Sequence, residues 1–141
     1  MRSIPHILQE SHTIAVVGLS PKPDRPSQGV AHYLQDHGYR IIPVNPRYEG
    51  QQILGEKVYP DLHAAADALA ATGTRIDIVQ CFRKPEEIPA IARDAIAVRA
   101  SVLWMQLGIA NQQAADLAAA AGLDVVQDAC MKVEHAMTVG A

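Results

Sequence analysis

Apolar positions along this chain fall into two textures that alternate from end to end. Short β-branched runs occur at Thr13–Val17, Arg40–Val44, Ile76–Phe82, Ser101–Met105 and Leu123–Val126. Between them the apolar residues recur at helical spacing: Val30, Tyr33 and Leu34; Leu62, Ala65, Ala66 and Leu69; Ile88, Ile91, Ala92 and Ile96; Ala114, Leu117 and Ala118. A strand that is apolar at successive positions is buried on both faces, and amphipathic helices between such strands supply the cover. The pattern therefore predicts an α/β chain with a Rossmann-like doubly wound parallel sheet. It should have five or six strands, with helices on both faces.

Punctuation fits this alternation. Ser27, Asp61 and Asn111 are placed to cap helix N-termini, and Gly38, Gly73 and Gly122 stand where helices should end. A short helix is expected near Pro5–Ser11, and Val58-Tyr59 reads as a very short edge strand. No repeat, low-complexity tract or linker interrupts the pattern, so residues 1–141 are expected to form one domain.

Composition narrows the function. Apolar residues make up 49% of the 141, enough for a core, but 23 are alanine and only six are aromatic, so the packing should be close and small-residue. No stretch approaches the roughly 20 apolar residues of a membrane span. The opening Met1-Arg2-Ser3-Ile4-Pro5-His6 starts no apolar signal run, so the cytoplasm is the expected location. Cys81 and Cys130 lie far apart, which excludes a disulfide framework and a four-cysteine zinc site. A net charge of −3 argues against a nucleic-acid partner held by overall positive charge.

In a doubly wound sheet the ligand lies outside the carboxyl ends of the strands, where strand order reverses. The loops that should meet there are Gly18–Ser27, Asn45–Gly50, Arg83-Lys84-Pro85 and Gln106–Ile109. Five of the 12 basic residues (Lys22, Arg25, Arg47, Arg83 and Lys84) fall in the first three of them. A rim so basic on an acidic chain suits an anion.

Two familiar phosphate motifs are missing. No GxxxxGK[ST] string exists, which excludes that route to ATP. The dinucleotide fingerprint is reduced to Gly18, with Ser20, Pro21 and Pro23 following it. The acidic residue that would hold the ribose of NAD is replaced by Asn45-Pro46-Arg47. Arg47 has the chemistry for a bidentate phosphate contact, so a ligand with a phosphate near the ribose fits better. Gly18 permits a sharp turn, Ser20 offers a hydroxyl, and a helix opening at Ser27 would present free N–H groups.

These residues resemble a family. The ordered set Ala15-Val16-Val17-Gly18-Leu19-Ser20, Arg25, Ser27, Gly38-Tyr39 and Pro43-Val44-Asn45-Pro46 is similar to the small bacterial CoA-binding proteins. The set continues through Gly50, Gly55, Val58-Tyr59-Pro60, Asp77-Ile78-Val79, Phe82-Arg83 and Pro85. It closes with Leu103–Ile109, Asp128, Cys130, Glu134 and His135. It also resembles the CoA-binding N-terminal domain of the succinyl-CoA synthetase α subunit. The resemblance implies coenzyme A, or an acyl-CoA, on the basic rim. Gly18, Leu19, Ser20, Lys22 and Arg25 would hold phosphates. Asn45, Pro46 and Arg47 would flank the adenosine end with its 3′-phosphate, Phe82 and Arg83 would border the nucleotide, and Gln106 would lie near the pantetheine. The sequence has less glycine after the first strand than the synthetase, and its 141 residues are not expected to include the synthetase's phosphohistidine domain. CoA binding is thus implied more strongly than ligase activity.

The segment Asp128–His135 is the one cluster that resembles a reactive centre. Cys130 and His135 are five residues apart and would not share a helical face, and no third soft ligand is near. They are read as a buried Cys and a capping or surface His, with neither nucleophile nor metal. Cys81 and Trp104 are read as core, and the other histidines pair with no nucleophile. The expected role is a carrier, sensor or regulatory module without catalytic machinery. It would take a small-molecule ligand and need neither membrane nor nucleic acid, with room for a homodimer or an unidentified protein partner. Two alternatives stay open: a subunit of an acyl-CoA-processing enzyme, and a sensor of another nucleotide such as NAD(H).

Overall fold

The computed structural model describes residues 1–139. Its central sheet has five parallel strands: β1 (Thr13–Val17), β2 (Arg40–Val44), β5 (Ile78–Cys81), β6 (Val102–Met105) and β7 (Asp124–Val126). They lie in the order β2-β1-β5-β6-β7, a Rossmann-like α/β arrangement. Helices α1 (Ile4–Glu10), α2 (Pro26–Asp36), α3 (Leu62–Ala70), α4 (Ile88–Ala97), α5 (Gln112–Ala120) and α6 (Met131–Val139) surround the sheet. Among the described residues no helix is long and apolar enough to cross a membrane.

Side chains alternate across each strand and so build two cores. Ile14, Val16, Ile78 and Trp104 join Ile7 of α1, Leu34 of α2 and Met131 of α6 on one face. Ala15, Val79, Cys81 and Leu103 join Leu62 of α3, Ile91 of α4 and Ala118 of α5 on the other. The alanines concentrate where α4 and α5 pack side by side, through Ala92, Ala95, Ala114 and Ala118. Trp104 is fully buried, and its indole N–H donates to the Ala129 carbonyl at 2.8 Å. Burial pushes the Cys81 thiol up to about 12, so it stays protonated as a core residue.

Most punctuation stands where the sequence puts it. Asp61 and Asn111 cap α3 and α5 through the Ala64 and Ala114 amides, and Gly38, Gly73 and Gly122 follow α2, α3 and α5. Ser27 does not cap. Arg25 is the N-cap residue and Pro26 opens α2, because proline's fixed φ and missing N–H suit the first helical position. The strand expected over Ile76–Phe82 is trimmed to Ile78–Cys81.

Val58-Tyr59 forms a single parallel bridge from Tyr59 to Val44 rather than a sixth strand. A small antiparallel hairpin, β3 (Gln52–Ile53) with β4 (Glu56–Lys57), precedes it. Its turn residues Leu54 and Gly55 both have positive φ, and the usual Asn-Gly signal is absent from the sequence. Gln35 of α2 donates to the Leu54 carbonyl at 2.8 Å and holds that turn in place.

Candidate functional site

The chain passes from β1 to β2 on one side and returns to β5 on the other, so strand order reverses between β1 and β5. Gly18, just past β1, sits at that crevice with φ +93°. A Cβ there would lie 2.4 Å from the Phe82 carbonyl oxygen and 2.8 Å from Cδ of Arg83. Only glycine combines this backbone conformation with so close an approach.

Above the crevice opens a cavity of about 460 Å³. It gathers Gly18, Ser20, Lys22, Arg25, Asn45, Pro46, Arg47, Phe82 and Arg83 from three loops that are distant in sequence. Pro26, Ser27 and Tyr48 also line it. The sequence reading missed Tyr48, although its place beside Arg47 was the available signal. Lys84 instead borders a more open neighbouring hollow with Pro85 and Ile109.

The loops are braced by polar side chains that turn inward. Asn45 is buried; its Nδ2 donates to the Leu19 carbonyl at 3.2 Å and its Oδ1 accepts the Arg47 amide at 3.1 Å. It therefore ties the first loop to the second. The Ser20 amide donates to Ser27 Oγ at 3.1 Å, and Ser20 Oγ accepts the Lys22 amide at 3.2 Å. Of the amides expected to be free at the head of α2, only that of Ser27 has no acceptor among the described residues. Pro26 has no N–H, and the Gln28 and Gly29 amides both donate to the Arg25 carbonyl. Positive charge here comes mainly from side chains.

Four of the lining residues are cationic (Lys22, Arg25, Arg47 and Arg83) and none is acidic. Among the described residues Lys22, Arg25 and Arg47 make no ion pair, while the Arg47 guanidinium stands 5.6 Å over the Tyr48 ring. Arg83 pairs with Glu87 at 3.3 Å. Unpaired cations converging on one concavity, with the Ser20 hydroxyl among them, suit a ligand bearing several phosphate charges.

Two expected residues lie outside the cavity lining. The Leu19 side chain is fully buried in the core, leaving only its backbone near the loop. Gln106 is buried too, and its Oε1 accepts Gln80 Nε2 at 3.1 Å and the Met131 amide at 3.3 Å. Its side chain braces β5, β6 and the head of α6, so the structure does not bring it to the basic rim.

In the Asp128–His135 segment no hydrogen bond joins Cys130 to His135 among the described residues. Cys130 is half-buried, and its carbonyl accepts the Glu134 amide at the head of α6. His135 is buried, which corrects the expected capping or surface histidine. Its Nδ1 meets the Tyr33 hydroxyl at 3.0 Å, and its ring packs edge-on against His37 and Tyr39. Burial, then His37, lowers the His135 pKa from its ordinary value of 6.5. No group of three His, Cys, Asp or Glu among the described residues is placed to hold a metal ion.

Comparisons with known proteins agree with this geometry. A family model described as "CoA binding domain" matches residues 12–136. The uncharacterized protein YneT of Bacillus subtilis (strain 168) is 42% identical over 135 residues, which cover 96% of this chain and 93% of that one. A solved structure of a hypothetical protein from Pyrococcus horikoshii OT3 is 38% identical with a TM-score of 0.85, covering 97% of this chain and 90% of that one. The structure of RSP, a Rex-family repressor, in complex with beta-NADH shares the fold alone. Its TM-score is 0.55 at 20% identity, covering 87% of this chain and 53% of that one. With Gly18 at the switch point and the cation-lined cavity above it, the match across residues 12–136 means that the chain belongs to the CoA binding domain family.

Proposed function

We propose that residues 1–141 form one unit that binds coenzyme A, or an acyl-CoA, as a cytoplasmic carrier, sensor or regulatory module. The observation that carries this reading is the cavity of about 460 Å³ with four cationic side chains and no acidic one. Its size lies within the range of small-molecule sites, about 300–1,000 Å³. Lys22 and Arg25, on the loop after β1, are suited to the diphosphate, and Arg47 after β2 is suited to the 3′-phosphate. Gly18 supports the fit, because a bare backbone there lets the Phe82 carbonyl and Arg83 close against the loop after β1, beside the other cations. Asn45 and Ser27 act as positioning residues that hold these cations' loops together.

The reading contains no chemical step. No hydrogen bond joins Cys130 to His135 among the described residues, and His135 Nδ1 meets the Tyr33 hydroxyl instead. Mass spectrometry of the ligand released by denaturing freshly purified protein tests the proposal. The mass of CoA or of an acyl-CoA is expected, and the mass of NAD or NADH as the dominant species would overturn it.

A further inference from the structure

Arg83 stands between two cavities of opposite character. On its α2 side lies the cation-lined cavity with Lys22, Arg25 and Arg47. On its other side, over α3 and α4, is a cavity of about 290 Å³ with apolar walls that include Val17, Val44 and Ile91. The other charged residues of that second cavity are all acidic: Asp61, Glu87 and Asp94. Asp61 is occupied in capping α3 through the Ala64 amide, and Asp94 pairs with His63 at 3.2 Å. Glu87 is the acid that engages the shared cation. Its Oε1 accepts from Arg83 Nη2 at 3.3 Å, while its Oε2 accepts the Lys84 amide at 3.1 Å. Both of its oxygens are held, so the negative charge stays at the boundary.

We propose that Glu87 is a specificity-determining residue of the anion site, withholding part of Arg83's charge from the first cavity and refusing anionic groups at the second. The inference rests on the reading of the first cavity as a phosphate site. A polyanion that reaches Arg83 must share it with Glu87, and an anion entering the second cavity meets Glu87 as a like charge. Arg83 and Glu87 are each partly exposed, so water screens the pair and the effect is a modest factor. The ligand is thereby given a direction, with its phosphates toward α2 and an uncharged portion toward α3 and α4.

The test compares wild type with Glu87→Gln by calorimetric titration, using inorganic pyrophosphate and, separately, CoA. The Gln carbonyl still accepts the Lys84 amide, so the turn before α4 is preserved. At low salt the variant should bind each ligand about two- to fivefold tighter. The gain should fade toward none near 1 M salt, where the Debye length is about 3 Å. A purely structural role would not produce that salt dependence. In an Arg83→Ala background the same substitution should give a smaller gain, because only the direct repulsion by Glu87 is then removed. Unchanged or weaker pyrophosphate binding by folded Glu87→Gln overturns the proposal. So does an undiminished gain without Arg83, or the absence of pyrophosphate binding by either protein. If pyrophosphate behaves as expected but CoA does not bind, Glu87's role stands and the CoA reading falls.

Discussion

Both ends of the parallel sheet carry a cluster of cations, and the two clusters behave differently. At the amino end, a cavity of about 400 Å³ is lined by Arg2, Arg75 and Arg99. Arg2 is held by the Asp124 carboxylate at 2.6 Å, with Glu10 at 3.7 Å, and Arg75 donates to the Arg99 carbonyl and to Ser101 Oγ. The Arg99 guanidinium makes no hydrogen bond or ion pair among the described residues. It lies just past the carboxyl end of α4, where the helix dipole is negative. At the carboxyl end, by contrast, Lys22, Arg25 and Arg47 make no ion pair among the described residues and share one concavity. Charge count does not separate the two ends. What separates them is that the fold supplies partners to Arg2 and Arg75 at the amino end, whereas at the carboxyl end only Arg83 has an ion pair among the described residues.

Substitutions can break or sharpen this contrast, and the largest effect should come from Gly18→Ala. The added Cβ would meet the Phe82 carbonyl at 2.4 Å in a left-handed conformation. Backbone strain and overpacking together should cost about 3 kcal/mol or more, measured by urea denaturation. A loss under about 1 kcal/mol would show that the crevice can widen. Next, Arg25→Ala should weaken CoA binding about tenfold or more, since a hydrogen bond to a charged group contributes about 1.5–3 kcal/mol. Its stability should shift by less than about 0.5 kcal/mol, because it stands in an exposed loop.

Arg2→Ala should show the reverse pattern. It leaves the mostly buried Asp124 carboxylate without its guanidinium and should cost about 1 kcal/mol of stability, with CoA affinity unchanged. Parallel losses of affinity in Arg2→Ala and Arg25→Ala would erase the distinction between the two ends.

Acid should act through His135. Its pKa is lowered in the folded state, so the unfolded chain binds the proton more readily. The stability it contributes is complete above pH 6.5 and is lost as pH falls from there through the folded value. Denaturation midpoints followed across that window should decline less in His135→Gln than in wild type, and equal slopes would remove His135 as the cause. The smallest effect is expected from Cys130→Ser, whose CoA affinity should stay within about a factor of three of wild type because Cys130 is outside the cavity lining. A folded variant that no longer binds CoA would place the thiol in the site.

The sheet was legible because double-sided burial writes itself as continuous apolar runs, as at Ile14-Ala15-Val16, where neighbours enter opposite cores. The cationic loops were legible because in this topology the loops after β1, β2 and β5 must converge. Features that depend on long-range partners were not. The Leu54-Gly55 turn takes its shape from a contact with Gln35, and Gln106 is drawn inward by Gln80 and the head of α6. His135 reads as a surface residue on a helix with little amphipathic pattern until α2 brings Tyr33 and His37 against it. Ser27 lies inside α2 because Pro26 takes the first helical position and leaves Arg25 as the N-cap.

Thermal stabilisation by CoA, dephospho-CoA and NAD at equal concentrations tests the central claim most directly, since a ligand that binds only the folded state stabilises it by RT ln(1 + [L]/Kd). CoA should give the largest shift. Dephospho-CoA should give less, because it lacks the 3′-phosphate assigned to Arg47. NAD should give least, since Asn45 is buried and engaged by Leu19 and Arg47 where an acidic partner for the ribose would stand. The differences should shrink at high salt. A shift with NAD as large as that with CoA would contradict the account and make the cavity a general nucleotide site.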